Sequence, residues 1–270
     1  MQKKSKPIVT LMYDFDKTLS PEDMQNYGFI PGVGMAPRDF WALCTKTIQD
    51  HKMDMILGYM MVMLQEAEGK MLLTRDVFRA MGKKVRLFPG VTTWFQRVND
   101  FGADRDVIIE HYIISSGLKE IIEGTPIAKE FKRVYAAEFV YNERGVPVWP
   151  AMAVNYTSKT QFLFRINKGE LDVTDHKGVN EFIPESQRRI PFQNMIYLGD
   201  GITDIPCMRI VRNGGGNSIA VYEDNPELGL RMKEQGRVNY VLPADFRKGK
   251  SLEKKVFEIL NEISSDSHRM

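Results

Sequence analysis

Short apolar, β-prone runs near residues 8–13, 107–114, 133–135, 195–199 and 218–222 are separated by stretches of helical periodicity, such as 91–101 and 159–168. Strands that alternate with helices pair by crossing over, each lying parallel to the one before. The chain is therefore expected to be α/β, with a doubly wound, mostly parallel sheet and helices on both faces. Ligands in such sheets bind outside the carboxyl ends of the strands, so the residues that end each run carry the most information. One segment departs from the rhythm. Residues 138–149, with Gly145 between two apolar arms, read as a β-hairpin, and Pro147 suits an edge position.

The run at 8–13 stops at Asp14-Phe15-Asp16-Lys17-Thr18-Leu19. Two carboxylates this close repel each other unless a cation or a proton lies between them. A metal-assisted site is one reading; a strand ending in a solvated acidic turn is the other. The run at 107–114 stops at Ser115-Ser116-Gly117, and a short helix is expected from about Leu118. Its N–H groups and positive dipole end would favour an anion, although a serine that merely starts the helix would look the same. The run at 195–199 ends in Gly199-Asp200-Gly201, with Asp204 one helical turn later. Such a pair suits a hard cation like Mg2+; an acidic turn with no ligand is the other reading. Lys159 opens the helical stretch 159–168, where a cation is unfavourable against the dipole unless solvated or matched by an anion.

Composition narrows the classes. The 270 residues are 43% hydrophobic and 27% charged, as in ordinary globular protein, and a net charge of +2 gives no reason to invoke nucleic acid or a membrane surface. Cys44 and Cys207 lack metal-type spacing and are expected as free buried thiols in a reducing, cytoplasmic setting. The most apolar stretch, 53–64, contains Asp54 and is too short to span a bilayer. Oligomeric state is left open.

Residues 20–86 break the strand–helix alternation. Residues 37–49, 54–68 and 74–81 read as three helices, taken as a cap inserted after the first strand. Two domains are therefore expected: a core of 1–19 and 87–270, and a helical cap of 20–86. Methionines 53, 55, 60, 61, 63, 71 and 81 dominate the cap. Ordinary packing of a small bundle accounts for most of them, and an adaptable lining over a site is the alternative. Arg38, Trp41 and Tyr59 are candidate substrate contacts, and Glu22 could reach an amine.

Together, Asp14-Phe15-Asp16-Lys17-Thr18-Leu19, the strand ending at Ser115, Lys159, and Gly199-Asp200-Gly201-Ile202-Thr203-Asp204 occur in that order. They resemble the four signature motifs of the haloacid dehalogenase-like (HAD) hydrolases, and within them the phosphoserine phosphatase-like subgroup. Leu87-Phe88-Pro89-Gly90-Val91 is similar to the segment with which that subgroup re-enters its core. The resemblance spans about residues 8–225. It implies a Rossmann-like core and a Mg2+-dependent phosphatase acting on a small phosphorylated metabolite through an aspartyl-phosphate. Asp14 would be the nucleophile. Asp16 would be the general acid and base, which requires a raised pKa. Mg2+ would be held by Asp14, the backbone carbonyl of Asp16, and Asp200, with Asp204 orienting them. Ser115, Lys159 and backbone N–H groups near Ser116 and Gly117 would hold the phosphoryl oxygens. Phe15 and Thr18 would lie beside the substrate, Thr18 positioning the Asp16 loop. Thr203 stands where many relatives carry asparagine. Lys177, 23 residues before Asp200, rivals Lys159; Lys159 is preferred because it opens a helix after the hairpin, and Lys177 is expected on a solvated loop. A dehalogenase, a phosphotransferase or a non-catalytic phosphate-binding module are the competing readings. Asp16 favours phosphoryl chemistry, because an alkoxide leaving group needs a proton and a halide does not.

Overall fold

The structure, a computed structural model, describes residues 6–269 and contains one seven-stranded sheet. The strands are β1 (Ile8–Tyr13), β2 (Ile108–Leu118), β3 (Arg133–Tyr141), β4 (Pro147–Met152), β5 (Met195–Gly199), β6 (Asn217–Tyr222) and β7 (Tyr240–Pro243). The helices are α1 (Phe29–Gly32), α2 (Pro37–His51), α3 (Met55–Ala67), α4 (Arg75–Gly82), α5 (Val91–Ala103), α6 (Lys119–Glu123), α7 (Lys159–Lys168), α8 (His176–Asn180), α9 (Ile205–Asn213), α10 (Glu227–Glu234) and α11 (Ser251–Arg269). Spatial order is β4-β3-β2-β1-β5-β6-β7, and every neighbouring pair is parallel except β3 with β4. The expected α/β sheet is the observed one.

Burial of both faces explains why the strands read as continuous apolar runs. Side chains alternate between two separate cores, as period two demands. Val9, Leu11 and Tyr13 of β1 join Ile113, Ile196, Leu198 and Ile219 on one face, covered by Trp94 and Phe95 of α5 and by Val256 and Leu260 of α11. Met12 joins Tyr112, Ile114, Tyr197 and Ala220 on the other, covered by Phe162 and Ile166 of α7, Met208 of α9 and Met232 of α10. Helices on both faces make the sheet doubly wound.

Four features differ from the sequence reading. Strand β2 runs on through Ser115 to Leu118, with a register shift against β3 between Ile114 and Leu118. The hairpin's first arm and the run at 133–135 are one strand, β3. Strand β7 is added at the far edge; its four half-buried residues are too few to show periodicity. Lys177 lies exposed on the short helix α8 rather than on a loop.

Helices α1–α4 occupy the chain between β1 and α5. Asp54 caps α3 by accepting from Ile56 N and Leu57 N, and its other oxygen accepts from Asn155 Nδ2 at 2.9 Å. Helix α4 meets α6 backbone to backbone. A Cβ on Gly82 would lie 2.1 Å from the Ile121 carbonyl oxygen, and one on Gly124 would lie 1.9 Å from that of Arg79. Glycine is required at both because no side-chain atom fits the approach. Cys44 and Cys207 are free and buried, and among the described residues no helix is long and apolar enough to cross a membrane.

Candidate active site

Strand order reverses around β1, which lies between β2 and β5. The crevice beyond the carboxyl ends of these strands is where a doubly wound sheet accepts ligands. Asp14 follows β1 directly and is tied to β5 by its N–H, which donates to the Leu198 carbonyl at 2.9 Å. Asp16 is two residues further on, Asp200 follows β5, and Ser115, Ser116 and Gly117 end β2. All six line one cavity of about 450 Å3. The chain turns sharply after Asp16: Lys17 adopts φ 58°, and the Phe15 carbonyl accepts from Leu19 N at 2.8 Å.

Lys159 lies beneath this floor with 0% exposure. Its ammonium sits 3.0 Å from Asp14 Oδ2 and 2.8 Å from Asp204 Oδ1. Asp204 is equally buried and fully engaged. Its Oδ1 also accepts from the Tyr197 hydroxyl at 2.7 Å, and its Oδ2 accepts from the N–H groups of Asp200 and Gly201 at 3.2 and 3.3 Å. Gly199 admits that carboxylate, since a Cβ there would lie 2.5 Å from Asp204 Cγ. Asp14 Oδ1 accepts from Phe15 N at 2.7 Å and Asp16 Oδ1 accepts from Met24 N at 2.9 Å.

Acids outnumber cations here. Burial pushes Asp14 up to about 6 against the pull of Lys159, and Asp204 adds to the rise. Burial, then Asp23 and Asp14, holds Asp16 well above the carboxylate range. Burial, then Asp204 and Asp14, does the same to Asp200. Burial works against the Lys159 ammonium, but Asp14 and Asp204 together move it above its ordinary range.

The sequence-predicted residues divide. Asp14, Asp16, Ser115, Ser116, Gly117 and Asp200 meet at the cavity, with Lys159 and Asp204 directly below. Phe15 and Thr18 are fully buried and absent from its lining. The Ser116 hydroxyl donates to the Val154 carbonyl at 2.7 Å, and Gly117 N donates to Ser115 Oγ at 3.1 Å. Trp41 and Tyr59 line the cavity; Glu22 and Arg38 do not, and both are exposed. Among the methionines named above between 53 and 81 only Met55 lines it, and Met60, Met63 and Met81 are buried in the core, so packing explains most of them. Lys17, Asp23 and Gln25 also line it. Sequence reasoning missed them, because polar residues around a turn carry no periodic signal.

Tyr197 is a further positioning residue that the motifs did not contain. Its hydroxyl fixes Asp204, which in turn holds Lys159. Tyr197→Phe is expected to destabilise the fold by about 1.5–3 kcal/mol, the usual worth of a hydrogen bond to a charged group. Urea unfolding of the two proteins measures this, and an unchanged midpoint would contradict it.

A family model described as haloacid dehalogenase-like hydrolase matches residues 11–209. An uncharacterized protein of Borreliella burgdorferi is 27% identical over 280 aligned residues, covering 93% of this chain and 96% of that one. Among solved structures, a HAD family hydrolase of Salmonella enterica serovar Typhi superposes with a TM-score of 0.59 at 17% identity, covering 89% of this chain and 69% of that one. A substrate-bound phosphoserine phosphatase superposes with a TM-score of 0.56 at 14% identity, covering 87% and 93%. At these identities the structural likeness establishes the fold.

Proposed function

Because the chain belongs to the haloacid dehalogenase-like hydrolases, we propose that it is a magnesium-dependent phosphomonoesterase that works through an aspartyl-phosphate on a small phosphorylated metabolite. The observation that carries this reading is the convergence of Asp14, Asp16 and Asp200 on one cavity with Lys159 3.0 Å behind Asp14. We further take 20–86 as the cap and the remainder as the core.

The metal reading has a structural test. Asp14, Asp200 and Asp204 each bring a carboxylate oxygen within 4.8 Å of the others. Asp204 already accepts from four donors, which uses the four lone-pair sites of a carboxylate. It therefore orients its neighbours, which leaves the carboxylates of Asp14 and Asp200 for a cation, and the resemblance adds the backbone carbonyl of Asp16. Bound there, Mg2+ would neutralise the acids and let a phosphate dianion approach.

Asp14 attacks phosphorus in line, forming its Oδ–P bond as the ester P–O bond breaks. Asp16 gives its proton to the departing alkoxide, as its raised pKa allows. The Ser115 hydroxyl and the N–H groups near Ser116 and Gly117 hold the phosphoryl oxygens, and Lys159, 3.0 Å from Asp14 on its buried side, orients the nucleophile. Asp16, now a carboxylate, takes a proton from water; that water attacks phosphorus, releasing phosphate and restoring Asp14. Release of p-nitrophenol from p-nitrophenyl phosphate, with Mg2+ and with EDTA, tests the reading. A purified protein inert under both conditions would overturn it.

Linkage gives a second expected outcome. A carboxyl whose folded pKa is raised binds protons in the native state that the unfolded chain has released, so its charge destabilises the fold progressively as pH rises through that window. For Asp14 the window runs from 3.8 to about 6. Mg2+ should therefore raise the melting temperature more above that window, where the acids need a counter-charge, than near pH ~5, where protons compete. Thermal scans with and without Mg2+ at the two pH values measure this, and an equal shift at both would contradict it.

A further inference from the structure

Above the acids, the cavity wall is made by Asp23, Gln25, Trp41, Ile56, Tyr59 and Leu228. The Trp41 and Tyr59 rings meet edge to face, with centroids 6.2 Å apart at 70°. Their polar atoms are already committed: the Tyr59 hydroxyl donates to the Ser116 carbonyl at 2.8 Å, and the Trp41 indole donates to Asn26 Oδ1 at 3.2 Å. What they offer a ligand is aromatic surface, which attracts cations. Gln25 is 2% exposed, and its carboxamide oxygen accepts no hydrogen bond. A buried carbonyl without a donor is an unfavourable state that a ligand N–H would relieve.

The charges point the same way. Among the described residues, Lys17 is the one basic side chain lining the cavity, and its ammonium is paired with Asp23 at 3.2 Å. Lys159 is sealed under Asp14, and the Arg38 side chain is 90% exposed on α2. A carboxylate on the leaving group would face Asp16 and Asp23 with no unpaired cation to meet it, leaving its desolvation uncompensated. The wall offers aromatic surface, the Asp23 carboxylate and the unpartnered Gln25 carbonyl oxygen.

Resting on the phosphatase reading above, we propose that the substrate is a phosphate monoester of a short alcohol that carries a primary ammonium and no carboxylate. The ammonium sits against Trp41 and Tyr59, donates to Gln25 Oε1 and shares Asp23 with Lys17. The phosphoryl group lies on the acidic floor.

Steady-state phosphate release from four esters tests this: O-phosphoethanolamine, O-phosphocholine, O-phospho-L-serine and glycerol 3-phosphate, with p-nitrophenyl phosphate as the general substrate. The expected result is a kcat/KM for phosphoethanolamine about tenfold or more above each of the other three, the worth of a desolvated cation–aromatic contact and one charged hydrogen bond. Phosphoserine or glycerol phosphate turning over as fast would overturn the ammonium site. Phosphocholine, which has no N–H, doing as well would overturn the Gln25 contact. Gln25→Leu should cut the phosphoethanolamine-to-phosphocholine ratio about tenfold, and an unchanged ratio would overturn its role. If p-nitrophenyl phosphate is also inert, the phosphatase reading fails and this proposal with it. If it is hydrolysed without the predicted preference, only this proposal fails.

Discussion

Asp14→Asn is expected to lower phosphate release from p-nitrophenyl phosphate by about 10^4-fold or more, as removal of a covalent nucleophile does elsewhere. The substitution is nearly isosteric. A carboxamide oxygen still accepts from Phe15 N, the contact now at 2.7 Å, and Lys159 keeps its partner in Asp204 at 2.8 Å. Circular dichroism should therefore match the wild type, so that lost activity reports chemistry rather than unfolding. Acid-quenched wild-type protein should carry phosphate on Asp14, and the variant should carry none. A variant retaining a tenth of wild-type turnover would remove Asp14 from the mechanism.

Lys159→Met is expected to cost both stability and activity. The ammonium is the single cation between two buried carboxylates, at 3.0 and 2.8 Å. Removing one partner of a buried pair leaves uncompensated charge, at a cost of about 3–5 kcal/mol. The pH dependence follows from the signs. Lys159 is raised from 10.5, so its stabilisation is fully present below that value and lost only as pH rises beyond the folded pKa. Asp14 sits near 6 and sheds its charge below that. The stability gap between wild type and variant should therefore be flat from pH ~6 towards the lysine range and should narrow in acid. Denaturant unfolding across pH measures it. Lys177→Met, on exposed α8, should stay within about 0.5 kcal/mol of wild type, and equal losses for the two would refute the assignment of Lys159 over Lys177.

Much of the floor of the site was readable in the amino-acid sequence because each part punctuates a strand. Asp14, Ser115 and Asp200 all follow apolar runs whose burial on both faces makes them visible, and the topology of a doubly wound sheet brings such ends together. Lys159 was harder. A single lysine at a helix start is ambiguous against the alternatives; its place after the hairpin favours it over Lys177, and its depth below Asp14 adds what the sequence could not show. The wall over the site was largely illegible. Asp23 and Gln25 belong to a turn where polar residues are ordinary, and Arg38 sits on the face of α2 that meets solvent. Trp41 and Tyr59 do reach the cavity, yet their aromatic spacing on two different helices marks packing as readily as contact. Short elements such as β7 and α8 leave too few residues for any period to show.

The contact of α4 with α6 through Gly82 and Gly124 bears on how a ligand gets in. Two backbone segments this close cannot approach further and leave no space for a side chain between them. Helix α4 is thus held closely against α6, whereas α3 meets the residues around the site through the side-chain hydrogen bonds Asp54–Asn155 and Tyr59–Ser116, so movement that widens the cavity is expected at α2 and α3 before α4. Amide protons along α4 and α6 should then exchange with deuterium more slowly than those of α2 and α3.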